Sequence, residues 1–366
     1  MVSFPPPPVQ TLEWDKLGLS PMTVNGHVEC NWDAATGQWS EPQLIEDPFL
    51  RIHGLAPGLN YGQQAFEGMK AYRDPQGQIQ VFRPKDHAAR LALSSSTIAI
   101  PTVPEDLFLR GINLAVASNA EFVPPHDTDA ALYIRPLVFG SDAFPAVSAG
   151  TGYKFCIYAQ PYKAYHGVHP LPALVLDDFD RAAPKGVGHV KVGGNYAPVL
   201  KWSDQARSEG FFITLHLDSS TGTEIDEFST SAFIGLKKTG ESYTVIVPNS
   251  RSILKSVTST TCLDLAKSLG WAVEIRPVSY SELPYFTEIL AAGTAAMLVP
   301  IRSITRRSTG DNFQYSTDGP GEGCKALSRA LMEVQKGIVK SNAEWLWQVS
   351  PVAPAEHPIE TNGKQE

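Results

Sequence analysis

The stretch "GHVKVGGNYAP", residues 188–198, places a lysine between two valines and directly before two glycines. Long cations usually lie on a wet surface, whereas valines are typical of buried strands. If the alternation of a strand holds, Val190 and Val192 face one side and Lys191 faces the other. In a partly apolar site the pKa of a lysine falls, and its neutral amine becomes a nucleophile suited to Schiff-base chemistry. The glycines permit close approach of a ligand. The pattern indicates either such an amine or a surface lysine on a half-exposed strand.

The composition outside this stretch is that of a globular protein with a large apolar core. The 366 residues are 43% hydrophobic and 19% charged, with a formal net charge of -8 at pH 7. This length favours two ordinary domains over one large domain, and the apolar content excludes a disordered chain. Because no basic tract stands out, nucleic acid is not expected as a partner.

The cysteines and the N-terminal residues predict an intracellular location. Cys30, Cys156, Cys262 and Cys324 lie far apart and form neither a CxxC motif nor a Cys/His cluster, so we expect reduced thiols and no metal site. The first residues carry no pattern typical of a secretory or mitochondrial signal. No apolar run approaches the length of a membrane span. We therefore expect a cytoplasmic protein without a membrane partner.

Strand and helix patterns alternate along most of the chain. The run "AALYIRPLVF", residues 130–139, predicts a strand, and "PEDLFLRGINLAVASNAEFV", residues 104–123, predicts a helix with an acidic start. Similar patterns interleave after residue 187, which is typical of an α/β or α+β fold. The composition changes over residues 170–186, "PLPALVLDDFDRAAPKG", and predicts a linker between two domains. Residues 351–366 are expected to form a flexible tail.

Several charged and aromatic residues stand in contexts that permit chemistry. Glu227 lies in the apolar and small-residue run "IDEFSTSAF", where a buried carboxylate needs a cationic partner and an exposed one needs none. Arg90, in "KDHAARLALS", is by default a solvated helix residue. Tyr133 and Arg135 alternate on one face of a predicted strand, and together they suit either a structural role or the binding of a carboxylate.

Two further segments suit an anion. Val257 and Thr258, in "SVTSTTCLDLA", begin a predicted helix rich in hydroxyl groups, where backbone amides and the helix dipole attract phosphate. The same pattern is equally typical of an ordinary Ser/Thr cap. The segment "AAGTAAMLVP" contains the small-residue turn 293–295 before an apolar strand, and by itself it indicates only a tight turn.

Taken in chain order, five motifs closely resemble the branched-chain aminotransferases, which have fold type IV among pyridoxal phosphate enzymes. They are "LNYGQQAFEGMKAYR", "FRPKDHAARL", "LYIRP", "GHVKVGGNYA" and "GTAAMLVP", and the likeness spans roughly residues 10–350. The first motif looks most like the fungal members. The resemblance implies a two-domain α/β fold similar to D-amino acid aminotransferase, with a small α+β domain over 1–169, the linker over 170–186 and a large cofactor-binding domain over 187–350. It also implies a homodimer.

The resemblance assigns roles residue by residue. Lys191 is implied to form the Schiff base with pyridoxal phosphate and then to carry the proton between the substrate Cα and the cofactor. Tyr196 is implied to bind the ring oxygen, and Glu227 to keep the pyridine nitrogen protonated. The remaining positions are implied to form a phosphate cradle of Arg90, Val257, Thr258 and Thr294, and a substrate pocket of Tyr61, Phe66, Tyr133, Arg135, Thr230 and Ala295.

The implied reaction is transfer of the amino group of branched-chain L-amino acids to 2-oxoglutarate by a ping-pong mechanism, with amino acids and 2-oxo acids as partners. Three departures leave the substrate open. Ser229 and Ala232 replace the Gly and Asn of the common Glu-x-Gly-Thr-x-Asn pattern, and residues 162–166 replace a Gly-Pro-Tyr-type loop. The CxxC of some animal members is absent from 295–299. An altered substrate in secondary metabolism, an R-amine or D-amino acid transaminase, and a pyridoxal phosphate lyase remain alternatives.

Overall fold

The computed structural model describes residues 4–18, 20–144, 147, 150–163, 169–315, 319–340 and 342–352. Within these ranges the helices are α1 (Pro57–Asn60), α2 (Pro84–Thr97), α3 (Glu105–Ser118), α4 (Ala197–Ser208), α5 (Val257–Ser268) and α6 (Glu322–Gln335). The strands are β1 (His27–Asp33), β2 (Gln38–Trp39), β3 (Gln43–Ile45), β4 (Gln64–Phe66), β5 (Met69–Arg73), β6 (Ile79–Phe82), β7 (Ala131–Gly140), β8 (Tyr153–Tyr162), β9 (Leu171–Val175), β10 (Ile213–Leu217), β11 (Ile225–Phe228), β12 (Ala232–Thr239), β13 (Ser242–Pro248), β14 (Ala272–Arg276), β15 (Glu288–Gly293), β16 (Met297–Arg306), β17 (Asp311–Gln314) and β18 (Leu346–Gln348).

The first sheet is antiparallel and has the order β18-β6-β5-β7-β8-β1-β2, with β3 on β1 and β4 on β7. Its apolar face packs against α2 and α3 around side chains such as Met69, Phe108 and Ile134. Because side chains alternate along a strand, Lys70 and Tyr72 point from the opposite face. This face therefore carries polar and aromatic groups, and it is covered where Lys70 and Tyr72 lie, with the Tyr72 hydroxyl donating to Gln335 Oε1 of α6.

The second sheet has the order β11-β10-β9-β16-β15-β12-β13-β14, with β17 on β16. Parallel pairs join β9 to β10, β9 to β16 and β13 to β14, and the other pairs are antiparallel. Both faces are buried: Ile234 and Leu236 belong to one apolar cluster with residues of α5 and α6, and Phe233 belongs to another with β10 and β11. The two sheets, each packed against helices, confirm the predicted α/β class.

Two elements lie differently from the predicted domain ranges. Strand β9 lies within residues 170–186, where the sequence predicts a linker, because "PALV" is apolar and fills the core of the second sheet. Pro172 pairs with Ser303 at a register shift, where a missing backbone donor is tolerated. Strand β18, within the range predicted as the large domain, pairs with β6 of the first sheet. Of the predicted tail, only Pro351 and Val352 lie inside the described residues.

The described part of the chain contains four free cysteines, all buried. No group of three or more His, Cys, Asp or Glu side chains among the described residues is arranged to hold a metal ion. None of the described helices is long and apolar enough to cross a membrane.

Candidate active site

The largest concentration of predicted site residues surrounds a cavity of about 400 Å³. Its walls come from both sheets and from the N-terminal end of α5. The lining residues are Phe66, Gly68, Arg90, Tyr133, Arg135, Arg181, Lys191, Tyr196, Glu227, Thr230, Ser231, Ala232, Leu254, Ser256, Val257, Thr258, Ala292, Gly293, Thr294, Ala295 and Ala296.

The segment around Lys191 is held between the two sheets but is not a regular strand. Only one β-bridge forms there, between Val192 and Ala65. The Lys191 carbonyl accepts the amide of Phe66 at 3.1 Å, and its amide donates to the Ser94 hydroxyl at 2.9 Å. The predicted alternation is confirmed, because Val190 and Val192 are buried while the half-buried Lys191 enters the cavity. Tertiary contacts with β4 and α2 replace the expected strand ladder.

The Lys191 amine lies among aromatic groups. Its Nζ donates to the Tyr196 hydroxyl at 2.9 Å and lies 4.6 Å from the centre of the Phe66 ring. A 3-10 turn at Gly193–Asn195 brings Tyr196 back over the lysine, and the Asn195 amide nitrogen secures the turn by donating to two backbone carbonyls. The amine is therefore oriented by one hydroxyl and two rings, as a nucleophile in a restricted site requires.

Glu227 is buried and paired with Arg181. Arg181 Nη1 donates to Glu227 Oε1 at 2.5 Å, and the amide of Leu254 lies 3.4 Å from the same oxygen. Burial raises the pKa of Glu227 to about 7, although the neighbouring guanidinium acts in the opposite direction. The cationic partner expected from the sequence is present.

Arg181 is a charged lining residue that the sequence does not predict. It lies in the range predicted as a linker, is 7% exposed, and also donates through Nε to the carbonyl of Ser229 at 3.2 Å. The need of Glu227 for a cation indicates that such an arginine exists. Nothing in the sequence says which one, because the two residues are 46 positions apart.

The opposite end of the cavity carries positive charge and free amides. Strand-to-helix geometry brings the first turn of α5 beside Arg90, whose Nη1 donates to the carbonyl of Lys255 at 3.0 Å. The side chain of Ser256 caps the amide of Ser259. Because the first turn of a helix has no intrahelical acceptors, the amides of Val257 and Thr258 are left for a ligand. The serine cap expected from the sequence is therefore present, and the binding of an anion by this turn stays a prediction.

One side of the cavity is aromatic and ends in an exposed guanidinium. Arg135 donates to the Tyr133 hydroxyl at 2.8 Å and stacks 5.0 Å from the Phe66 ring centre. The turn between β15 and β16 supplies Thr294 and Ala295, and the latter's carbonyl accepts the Tyr162 hydroxyl at 2.5 Å. Tyr61, predicted for the substrate pocket, does not line the cavity: it follows α1 at the surface, with 45% of its area exposed.

The three departures from the common pattern lie in different places. Ser229 is buried beneath the site, where its hydroxyl meets those of Thr214 and the Nε2 of His216, so it does not line the cavity. Ala232 does line it, beside its pairing partner Ala292. Of the loop 162–166, residues 164–166 lie outside the described residues. Among the described residues of these departures, Ala232 is the one that lines the cavity.

Comparisons with known proteins agree with this geometry. A family model described as amino-transferase class IV matches residues 64–304. Aminotransferase atnJ of Emericella nidulans is 61% identical over 334 residues, covering 90% of this chain and 96% of that protein. Branched-chain amino acid aminotransferase gloG of Glarea lozoyensis is 49% identical over 349 residues, covering 94% and 98%.

The crystal structure of the Escherichia coli branched-chain amino acid aminotransferase superposes with a TM-score of 0.71 at 25% identity. The match covers 88% of this chain and all of that one. Both curated relatives come from fungi. The resemblance, the fold type and the fungal likeness predicted from the sequence are confirmed.

Proposed function

Because the chain belongs to the class IV aminotransferases, we propose that it transfers the amino group of branched-chain L-amino acids to 2-oxoglutarate, with Lys191 as the covalent lysine. The cofactor of this family is pyridoxal phosphate, which supplies an aldehyde that condenses with amines and a ring that stabilises negative charge at the adjacent carbon. The single observation that carries the proposal is the Lys191 amine, held 2.9 Å from Tyr196 in a cavity that also contains Glu227.

The donors lining the cavity fit this cofactor. An aldehyde requires an amine, a pyridine nitrogen requires a carboxyl, and a phosphate requires amides and a guanidinium. Lys191 supplies the first and Glu227 the second. The α5 amides, together with Arg90 and Thr294, supply the third. We infer that these residues hold the cofactor with its phosphate at the start of α5.

Lys191 acts twice in the proposed reaction. Its Nζ would hold the aldehyde of the bound cofactor, and as a free amine it would take the proton from the substrate Cα. The Tyr196 hydroxyl orients that amine, and the Phe66 ring excludes water from one side of it. Two half-reactions at one amine give ping-pong kinetics.

Glu227 and Arg181 act on the ring. A carboxylate beside the pyridine nitrogen keeps that nitrogen protonated, which strengthens the ring as an electron acceptor. Burial works against the carboxylate by raising its pKa to about 7. Arg181, 2.5 Å away, favours its ionised form.

The substrate side combines apolar surface with one exposed cation. Phe66 and Tyr133 offer aromatic area to a branched side chain, and Ala232, Ala292 and Ala296 add small apolar groups. Arg135 lies over the Phe66 ring and suits the distal carboxylate of glutamate. The proposed pocket thus takes both an aliphatic and an acidic substrate in turn.

The proposal is tested by recording the absorbance of the holoenzyme. Addition of L-leucine is expected to remove the band of the lysine-bound cofactor, and 2-oxoglutarate is expected to restore it. Lys191→Ala should abolish both changes, whereas Lys201→Ala, an exposed lysine on α4, should leave them intact. A band that leucine, isoleucine and valine all leave unchanged would refute the branched-chain assignment.

A second candidate function is the same transfer from a diverged amine, as in secondary metabolism. Ala232 favours it, because a small apolar residue lines the cavity where the family pattern has an amide. Turnover of a panel of bulky L-amino acids, D-amino acids and R-amines distinguishes the two. If Ala232→Asn shifts the preference toward leucine, the second candidate is supported. Product release without any 2-oxo acid would instead indicate a lyase.

We also propose that the chain forms a homodimer. Five large apolar residues exposed by 37–75% fall within one stretch of chain: Leu44, Phe49, Leu55, Leu59 and Tyr61. Exposed apolar area of this kind is typical of a surface that another chain covers.

A further inference from the structure

A fully buried carboxylate lies directly behind the cavity without lining it. Glu67, at 0% exposure, occupies the turn between β4 and β5. Its Oε1 accepts Arg90 Nε at 2.6 Å, and its Oε2 accepts Arg90 Nη2 at 2.7 Å. His87 Nδ1 lies 2.7 Å from the same Oε2. One carboxylate therefore binds two cationic or polar partners from α2, both within one turn of that helix.

The two-point contact determines where Arg90 points. A guanidinium is planar, so two parallel hydrogen bonds to one carboxylate fix its plane as well as its position. The remaining Nη1 donates to the carbonyl of Lys255, immediately before α5. Arg90 also lines the cavity, as do Val257 and Thr258. Without Glu67, a long side chain would be free to rotate away from that position.

The charges in the cluster are consistent with a permanent anion. Burial alone would raise the pKa of Glu67, but Arg90 and His87 outweigh it and hold that pKa well below its usual range. Burial lowers the pKa of His87 although Glu67 acts in the opposite direction, and Nδ1 is the atom that faces the Glu67 carboxylate. Burial also opposes the charge on Arg90, yet Glu67 keeps the pKa of the guanidinium above its usual value. Arg90 thus enters the cavity charged.

We propose that Glu67 is a positioning residue that fixes the Arg90 guanidinium at the phosphate end of the cavity and thereby sets the affinity for phosphorylated cofactor. The residue before Glu67 contacts the segment of the reactive lysine, because the Phe66 amide donates to the carbonyl of Lys191. One turn of the first sheet thus positions both ends of a cofactor. This inference rests on the proposed function, since it assigns the phosphate to Arg90.

The test compares two ligands on the apoenzyme, pyridoxal phosphate and pyridoxal, by titrating the absorbance of the bound form. Glu67→Gln is expected to weaken pyridoxal phosphate by roughly 10- to 100-fold while weakening pyridoxal by less than about 3-fold. The ³¹P chemical shift of the bound cofactor should move as well. A role confined to folding would weaken both ligands equally and leave the shift unchanged, which would overturn the inference.

A matched control exists in the second sheet. Glu282 accepts Nη1 and Nη2 of Arg276 through its two oxygens, each at 2.8 Å, but does not line the cavity. Glu282→Gln should leave the ratio of the two affinities unchanged. If Glu67→Gln does not fold, His87→Gln serves in its place, with an expected loss of a few-fold for pyridoxal phosphate alone.

Arg90→Met distinguishes a wrong placement of the cofactor phosphate from a wrong role for Glu67. If it leaves the affinity ratio unchanged, the phosphate does not lie at Arg90 and the proposed placement of the cofactor fails. If Arg90→Met lowers the ratio while Glu67→Gln and His87→Gln do not, the cofactor placement stands and the positioning role of Glu67 is wrong.

Discussion

At the scale of single residues, Arg181 controls the charge of the buried carboxyl in the site. Burial raises the pKa of Glu227 to about 7 even with the guanidinium in place. Arg181→Met removes the opposing cation, so we expect that pKa to rise further and Glu227 to be protonated at neutral pH. Affinity for pyridoxal phosphate should fall by about 10-fold and turnover by about 100-fold. Titration of the apoenzyme and steady-state rates at pH 6 to 9 measure both effects.

Arg181→Lys keeps the charge but loses the planar guanidinium, whose Nε also donates to the Ser229 carbonyl. It should recover part of the lost turnover, more so at higher pH, where the carboxyl ionises without help. Equal rates for the methionine variant and the natural enzyme across this pH range would contradict the role assigned to Arg181.

Lys70 differs from the Glu227–Arg181 pair, because it is a buried lysine without a carboxylate partner among the described residues. It lies opposite Tyr133 in the β5–β7 ladder, with its Nζ 5.6 Å from the Tyr162 ring centre, and it donates no hydrogen bond to any described residue. Burial lowers its pKa to about 7 from an ordinary value of 10.5. Between pH 7 and pH 10.5 the unfolded chain therefore binds more protons at Lys70 than the folded chain does. Burial of Lys70 lowers the free energy of unfolding increasingly as the pH falls from 10.5 toward 7.

Lys70→Met should therefore stabilise the protein, and the gain should be about 2 to 4 kcal/mol larger at pH 7 than at pH 10. Urea unfolding at the two pH values measures it. Lys336 is the matched control, because this buried lysine donates to the carbonyls of His126 and Thr128. Lys336→Met should destabilise at both pH values. A Lys70→Met gain that does not depend on pH would rule out the buried charge as its cause.

The residues that the sequence could predict are those whose type and spacing carry the chemistry. Lys191, Tyr196 and Glu227 follow from motifs, and the structure brings them into one cavity. Arg181 and Glu67 could not be assigned, because each finds its partner across 23 or more positions through tertiary contacts. Glu67 did carry a signal, since a carboxylate within "AFEGMKA" stands among apolar and small residues just as Glu227 does.

At the scale of elements, the turn before Lys191 depends on a glycine. A Cβ at Gly188 would lie 2.3 Å from Ala182 Cβ and 2.7 Å from the carbonyl oxygen of Ser252, and the backbone there cannot yield cheaply. Gly188→Ala should therefore cost about 1 to 3 kcal/mol of unfolding free energy and displace Arg181, which donates to the Gly188 carbonyl. Urea unfolding and cofactor affinity measure the two effects.

Gly194 provides the control in the same segment. A Cβ there meets nothing within 4 Å, and the residue does not have a positive φ. Gly194→Ala should change the unfolding free energy by less than about 1 kcal/mol. Equal costs at the two positions would mean that chain flexibility, and not the contact with Ala182, explains the Gly188 result.

Most elements could be predicted from the periodicity of apolar residues and from the turn residues that bound them. The exceptions have a common cause. Helix α3 and strand β7 are long and strongly patterned, and they form as expected. Strands β9 and β18 are three to five residues long, and prolines lie in or near them. Each is stabilised by a sheet built from distant parts of the chain, so local composition favours a loop where tertiary pairing makes a strand.

At the scale of the whole molecule, the exposed apolar stretch 44–61 predicts self-association. Phe49 and Leu59 expose 75% and 60% of their surface, which a lone chain would leave to water. Leu59→Glu places a charge there and should shift the protein from dimer to monomer in light scattering. Because the family likeness implies a pocket completed by a second subunit, activity should fall at least 10-fold. Ile275→Glu, at a 60% exposed site on β14, should leave both unchanged. A natural enzyme that is monomeric and fully active would refute the dimer outright, and with it the need for a partner at this site.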